Sequence, residues 1–123
     1  MITGIGIDAV RISRMESWKG NPELLLRFFD ERELKIINAR GKGMVSSLAA
    51  HFAAKEAFAK ALGTGFAGLV LKDIMVLQGR GGKPALHVEG SALEAMEAVN
   101  AGKSHISLTH EGDIAMAFVI LEK

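Results

Sequence analysis

At 123 residues the chain is long enough for one domain with a core and too short for two ordinary ones. Hydrophobic residues make up 49% and charged residues 24%, which excludes a disordered acidic or basic chain, and a net charge of +1 gives no global pull toward nucleic acid or membrane. The lack of cysteine excludes disulfides and thiolate metal sites and leaves a reducing compartment permitted.

In chain order, Ile2 to Val10 reads as a strand, with Ile5 and Ile7 alternating against Gly4, Gly6 and Asp8. No basic stretch precedes this apolar run, so it does not read as a signal peptide. Nor does any apolar run approach the ~20 residues that a membrane-spanning helix needs, and the expectation is a soluble cytoplasmic protein. Asn21-Pro22 predicts the cap and first turn of a short helix carrying Leu24, Leu25 and Phe28. Asp30 with Glu33 three residues on fits a capping box before Leu34, Ile36 and Ile37.

The strongest predicted helix runs from about Ser46 to Leu62, alanine-rich and free of glycine and proline until Gly63, a natural left-handed terminator. A strand follows from Lys72 to Leu77, then the turn Gly79 to Pro84 and a returning strand Ala85 to Val88. Ser91 with Glu94 predicts a capped helix through Val99, ended by Gly102. His105–Thr109 and Ile114–Leu121 read as two strands around Glu111-Gly112-Asp113. The last strand is apolar on both faces, which predicts a helix against one face and another subunit against the other. Helices mixed with hairpins make the expected class α+β.

Several residues could carry chemistry. Asp8 shares a strand face with Gly4 and Gly6, whose missing side chains leave space beside its carboxylate; the alternative is an aspartate capping the next helix. On the alanine-rich helix, Leu48, Phe52, Ala59 and Leu62 form an apolar stripe, with Glu56 and Lys60 on its flank. Their plain reading is an i,i+4 ion pair worth ~0.2–0.5 kcal/mol, and their other reading is a partly buried site. Lys55 falls within the stripe, as a snorkelling stem or an interface charge. Gly63-Thr64-Gly65 allows close approach of a phosphate but lacks P-loop spacing. His105, Ser107 and Thr109 share one strand face and His110 takes the other. Ser107 has no glycine elbow, so a serine hydrolase is not the reading, and the two histidines make no zinc pair. Arg11, Arg14 and Arg27 form either a solvated basic face or a docking patch for an acidic partner.

Three motifs together resemble the holo-acyl-carrier-protein synthases, the short class of 4′-phosphopantetheinyl transferases. They are Gly4-Ile5-Gly6-Ile7-Asp8, the run Phe52 to Gly65 (FAAKEAFAKALGTG), and Ser104 to His110 (SHISLTH). The resemblance spans the whole chain as a single domain, residues 1–123. It implies antiparallel strands packed against a long central helix, in a homotrimer with active sites between subunits. It also implies transfer of the phosphopantetheine arm of coenzyme A to a serine of apo acyl carrier protein, in support of fatty acid biosynthesis, with release of 3′,5′-ADP. By the same resemblance Asp8 and Glu56 hold Mg²⁺, Lys60 meets the pyrophosphate, and Asp8, Glu56 and Lys60 form the catalytic set. Gly63, Thr64 and Gly65 wrap the nucleotide, and His105 of the adjacent subunit helps hold its 3′-phosphate end. His51 and Lys42 belong to that pocket. Arg14, with Arg11 and Arg27, meets the acidic carrier.

The sequence departs from the family where relatives carry arginine at His51, a denser basic stretch around Arg40-Gly41-Lys42-Gly43, and threonine at Asp30. Two other readings stay open on the same fold, a metal-dependent phosphohydrolase and a non-catalytic nucleotide-binding module. Glu56, acting through a water, is the favoured general base.

Overall fold

The computed structural model describes residues 1–123. Strand β1 (Ile2–Arg11) leads through a 3₁₀ stretch, Ile12–Trp18, into α1 (Pro22–Phe28), α2 (Glu31–Asn38) and the long α3 (Met44–Leu62). The hairpin β2 (Ile74–Gln78) and β3 (Pro84–Val88) follows, then α4 (Gly90–Ala98) and a final hairpin of β4 (Lys103–Glu111) and β5 (Ile114–Glu122). The larger sheet is antiparallel throughout, in the order β1-β5-β4, and β2 and β3 form a second, two-stranded sheet. This is the α+β arrangement expected, with antiparallel strands laid on a central helix.

Fifteen of the nineteen residues of α3 are buried, so the helix is packed on nearly all sides and alanine is what fits. The single apolar stripe expected from sequence is too narrow a description. On one side, Val10 of β1 and Ala115, Ala117, Val119 and Leu121 of β5 pack against it. Gly4 and Gly6 set the closeness of this contact. A Cβ at Gly4 would overlap the carbonyl oxygen of Ala61, and one at Gly6 that of Ala57. Backbone thus meets backbone at the β1–α3 seam, and the next residue of the same parity is Asp8.

The other face of the sheet has no cover within the chain. Ile5 is 61% exposed, Ile7 52% and Phe118 39%, and the pairing register sets Ile7 opposite Phe118 and Ile5 opposite Ile120.

Local signals explain most boundaries. Asn21 accepts the Leu24 amide at 3.1 Å, Pro22 fills the first turn of α1, and Gly63 closes α3 at φ 83°. Two expected capping boxes are absent. Asp30 does cap α2, through the Arg32 amide at 2.8 Å, but Glu33 turns inward and is fully buried. Ser91 lies inside α4, where its amide and hydroxyl both donate to Asp73, and Glu89 stands at the cap position with its side chain turned to Arg32 and His87 rather than to the helix amides. The left-handed turn after α4 falls on Asn100, at φ 59°, rather than on Gly102. Asparagine tolerates that conformation better than other non-glycine residues.

Gly6→Ala should lower unfolding free energy by about 2 kcal/mol or more, since its methyl must displace helix backbone. Urea denaturation at fixed protein concentration measures this.

Candidate functional site

The alternation that points Gly4 and Gly6 at α3 points Asp8 there too, and leaves its side chain only 10% exposed. Lys60 reaches back from α3, with Nζ donating to Asp8 Oδ1 at 2.9 Å and to the Ile7 carbonyl at 3.1 Å. The i,i+4 ion pair expected between Glu56 and Lys60 therefore gives way to a pair between Lys60 and Asp8. Asp8 Oδ2 is sealed from solvent and has no partner. Nor does Asp8 cap the following 3₁₀ stretch, whose first position has no side-chain cap.

Glu56 stands one turn before Lys60, beside Asp8. Burial pushes its carboxyl up to about 7, helped by the neighbouring Asp8 carboxylate, against the pull of Arg14 and Lys60. Two carboxylates side by side at a half-buried edge attract a divalent cation, which removes their repulsion. No third acidic or histidine side chain joins them, so a cation held here keeps most of its positions for water or for ligand oxygens.

Around this pair, Arg14 is the one of the three predicted docking arginines whose charge acts on Glu56, and its guanidinium lies 5.8 Å from the Phe52 ring centre. Arg11 and Arg27 are exposed, Arg27 in the last turn of α1, where a cation suits the helix dipole. Gly63, Thr64 and Gly65 follow Lys60 directly and are exposed, with Gly63 and Gly65 at φ 83° and 64°.

A second feature is a cavity of about 410 Å³ over the first half of α3. Arg40, Ser46, Ser47, His51, Gln78 and His110 are among the polar residues that line it. The N-terminus of α3 lies here beside Gly43, with no side-chain cap and no acid in its first turn, so the positive end of its dipole favours an anion. Ser47 and His51 lie roughly 140–180° around the helix from Glu56. Within one chain, α3 therefore stands between the carboxylate pair and the cavity.

His51 lines the cavity as expected, but it is 5% exposed and its Nδ1 is bonded to Glu33 Oε2 at 2.8 Å. Lys42, exposed, precedes the lining residue Gly43. His105 is on the wrong side for this cavity. It projects from the open sheet face, where its Nε2 meets Glu122 Oε1 at 2.9 Å, while His110 has the inward parity of Ile106 and Leu108. That parity was the available signal for His110.

Lys55 is neither snorkelling nor at an interface. It is completely buried, with Nζ donating to Glu33 Oε1 at 2.7 Å, to Leu71 O at 3.1 Å and to Ile74 O. The signal for Glu33 was its position one turn before Ile37, on the apolar face of α2.

Comparison with known proteins follows these motifs. The family model described as the 4′-phosphopantetheinyl transferase superfamily matches residues 4–119. The chain is 49% identical over 122 residues to a holo-[acyl-carrier-protein] synthase of Treponema denticola, covering 99% of both chains. It is 41% identical over 126 residues to one of Clostridium tetani, covering 99% of this chain and 97% of that one. Among solved structures it is similar to the Neisseria meningitidis holo-[acyl-carrier-protein] synthase, with TM-score 0.88 and 34% identity over 100% of both chains. It is also similar to the Helicobacter pylori synthase in complex with coenzyme A, with TM-score 0.80 and 31% identity over 96% and 99% of the two chains.

The raised Glu56 carboxyl makes a signed prediction. The folded chain binds this proton more tightly than the unfolded one, so the associated stability is present below about pH 4.5 and is lost as pH rises to about 7. In metal-free buffer, Glu56→Gln should therefore gain thermal stability over the parent between pH 5 and pH 8. Melting curves across that range check it; parallel curves would contradict it.

Proposed function

The chain belongs to the 4′-phosphopantetheinyl transferase superfamily, among the holo-[acyl-carrier-protein] synthases, and from that membership we propose how its own residues divide the reaction. The reaction moves 4′-phosphopantetheine from coenzyme A to a serine hydroxyl of apo acyl carrier protein. The serine oxygen forms a bond to the β-phosphorus, the bond from that phosphorus to the bridging oxygen breaks, and 3′,5′-ADP leaves with that oxygen. No covalent enzyme intermediate is needed, so the residues position groups and offset charge.

The observation that carries this assignment is the Asp8–Glu56 pair with Lys60 beside it. The sealed, unpartnered Asp8 Oδ2 and the proton that Glu56 retains to about 7 suit an oxygen site for a hard divalent cation. Asp8 and Glu56 would hold Mg²⁺, which supplies charge neutralisation at the pyrophosphate when bound. Lys60, with its side chain 58% exposed, offers an ammonium to the leaving 3′,5′-ADP. Glu56, through a carboxylate oxygen not given to the cation, would take the serine proton by way of a water. Gly63, Thr64 and Gly65 bring backbone to the nucleotide, and Arg14, with Arg11 and Arg27 further out, receives the acidic carrier.

The nucleotide's 3′-phosphate end belongs in the cavity at the start of α3, with Arg40, His51 and His110, and Lys42 at the margin. His110 replaces His105 in this role because it faces the cavity. Since α3 separates cavity from carboxylates within one chain, one coenzyme A molecule bridges both only when two copies meet. The open sheet face, with Ile5, Ile7 and Phe118, is the surface for that meeting, in a homotrimer. A cytoplasmic location belongs to the same reading; no helix of the chain is long and apolar enough to cross a membrane.

With Mg²⁺ and coenzyme A, apo acyl carrier protein should gain the mass of one phosphopantetheine, read by intact-protein mass spectrometry. Asp8→Asn and Glu56→Gln should each cut kcat by about 10²–10³. Release of phosphopantetheine without a carrier, and none onto it, would replace transferase with phosphohydrolase. Mixing inactive Asp8→Asn protomers with inactive His110→Ala, Arg40→Ala protomers should restore partial activity, and no recovery after subunit exchange would reject the shared site.

A further inference from the structure

Glu33 is a carboxylate that the assigned reaction does not use and that no solvent reaches. Three elements converge on it. Lys55 of α3 donates to Oε1 at 2.7 Å; the Val76 amide of β2 donates to Oε2 at 3.0 Å, and that same oxygen lies 2.8 Å from His51 Nδ1. An ammonium on one oxygen and a peptide N–H on the other hold this carboxylate as an acceptor, so Nδ1 is the ring nitrogen that carries the proton.

The consequence appears at the other end of the ring. His51 Nε2 makes no hydrogen bond within the chain, and the only buried side-chain oxygens or nitrogens without a partner are Thr3 Oγ1 and Asp8 Oδ2. The unbonded Nε2 therefore keeps contact with solvent, and the cavity that His51 lines is where it meets it. Arg40 and His110 face the same space. Lys55 anchors the carboxylate from the far side. It is itself buried over the Phe29 ring at 4.9 Å, and its only acidic hydrogen-bond partner is Glu33.

We propose that Glu33, braced by Lys55 and the Val76 amide, is a positioning residue that fixes the tautomer and orientation of His51 and so presents the unprotonated His51 Nε2 as a hydrogen-bond acceptor to a donor group, the ribose hydroxyl or the adenine amine, at the nucleotide end of coenzyme A in the cavity. This rests on the reading that the cavity takes the nucleotide end of coenzyme A. Glu33 touches no substrate; it acts on coenzyme A affinity and leaves the chemistry at Asp8, Glu56 and Lys60 alone.

Long-range ¹⁵N–¹H spectra of the ring nitrogens test the first half on the full chain without ligand. At neutral pH and above, His51 should carry its proton on Nδ1, and a proton on Nε2 alone overturns the proposal. The second half is kinetic. His51→Ala should raise KM for coenzyme A about three- to tenfold, the loss of one hydrogen bond, with kcat much less affected. Glu33→Gln should do the same, because an amide cannot accept from Lys55 on one side and from Val76 on the other. The double variant should be no worse than the worse single one, whereas multiplied KM effects would mean that Glu33 acts independently of His51. If Glu33→Gln does not fold, the tautomer and the His51→Ala kinetics still decide. Transfer with an unchanged KM in His51→Ala overturns this proposal and spares the transferase. Absence of any transfer by the parent chain overturns the transferase reading instead.

Discussion

The contact on which the rest depends is the approach of β1 to α3 with no side chain between them. Gly4 and Gly6 let the strand backbone rest against the carbonyls of Ala61 and Ala57. The same strand parity then carries Asp8 to the helix surface where Glu56 and Lys60 are already one turn apart. A methyl group at either glycine would push the strand out, and the aspartate with it. The alanine-rich helix is the other half of this contact: Ala57 and Ala61, whose carbonyls the strand meets, are themselves buried. Fold and site are thus set by one steric condition.

Along α3, two neighbouring ionic residues meet opposite fates. Lys55 is sealed, and burial pushes its ammonium down while Glu33 holds it up. Glu56, the next residue, sits about 100° further round, at an edge where it is only partly buried. The first is tied into a closed network of protein groups that leaves it nothing to offer a ligand. The second stands beside Asp8, whose Oδ2 has no partner. Structural and reactive charge are separated by one residue step, and the helix stands between the carboxylate pair and the cavity.

What was legible in the sequence was what local chemistry dictates. The Gly-Ile alternation located β1 and the side on which Asp8 lies; Asn21-Pro22 and Gly63 marked helix ends; the alanine run gave α3. Family resemblance drew Asp8, Glu56 and Lys60 together, and the structure brings them together through a Lys60–Asp8 pair rather than the helical neighbour pair that spacing suggests. Less legible were residues whose partners are far along the chain. Glu33 reads locally as a capping residue, because nothing near it in sequence names His51, Lys55 or the Val76 amide as its partners. Choosing between His105 and His110 required knowing which strand face turns inward, and Ile106 and Leu108 carried that information.

The central claim is that the Asp8–Glu56 pair is a cation site for which proton and metal compete. Calorimetric titration of the metal-free protein with Mg²⁺ from pH 5.5 to 8.5 tests it most directly. With Glu56 titrating at about 7, affinity should be flat above that pH and fall about tenfold per unit below it, and it should be lost in Glu56→Gln. An affinity that ignores pH through this range, or that survives removal of the Glu56 charge, would contradict the account.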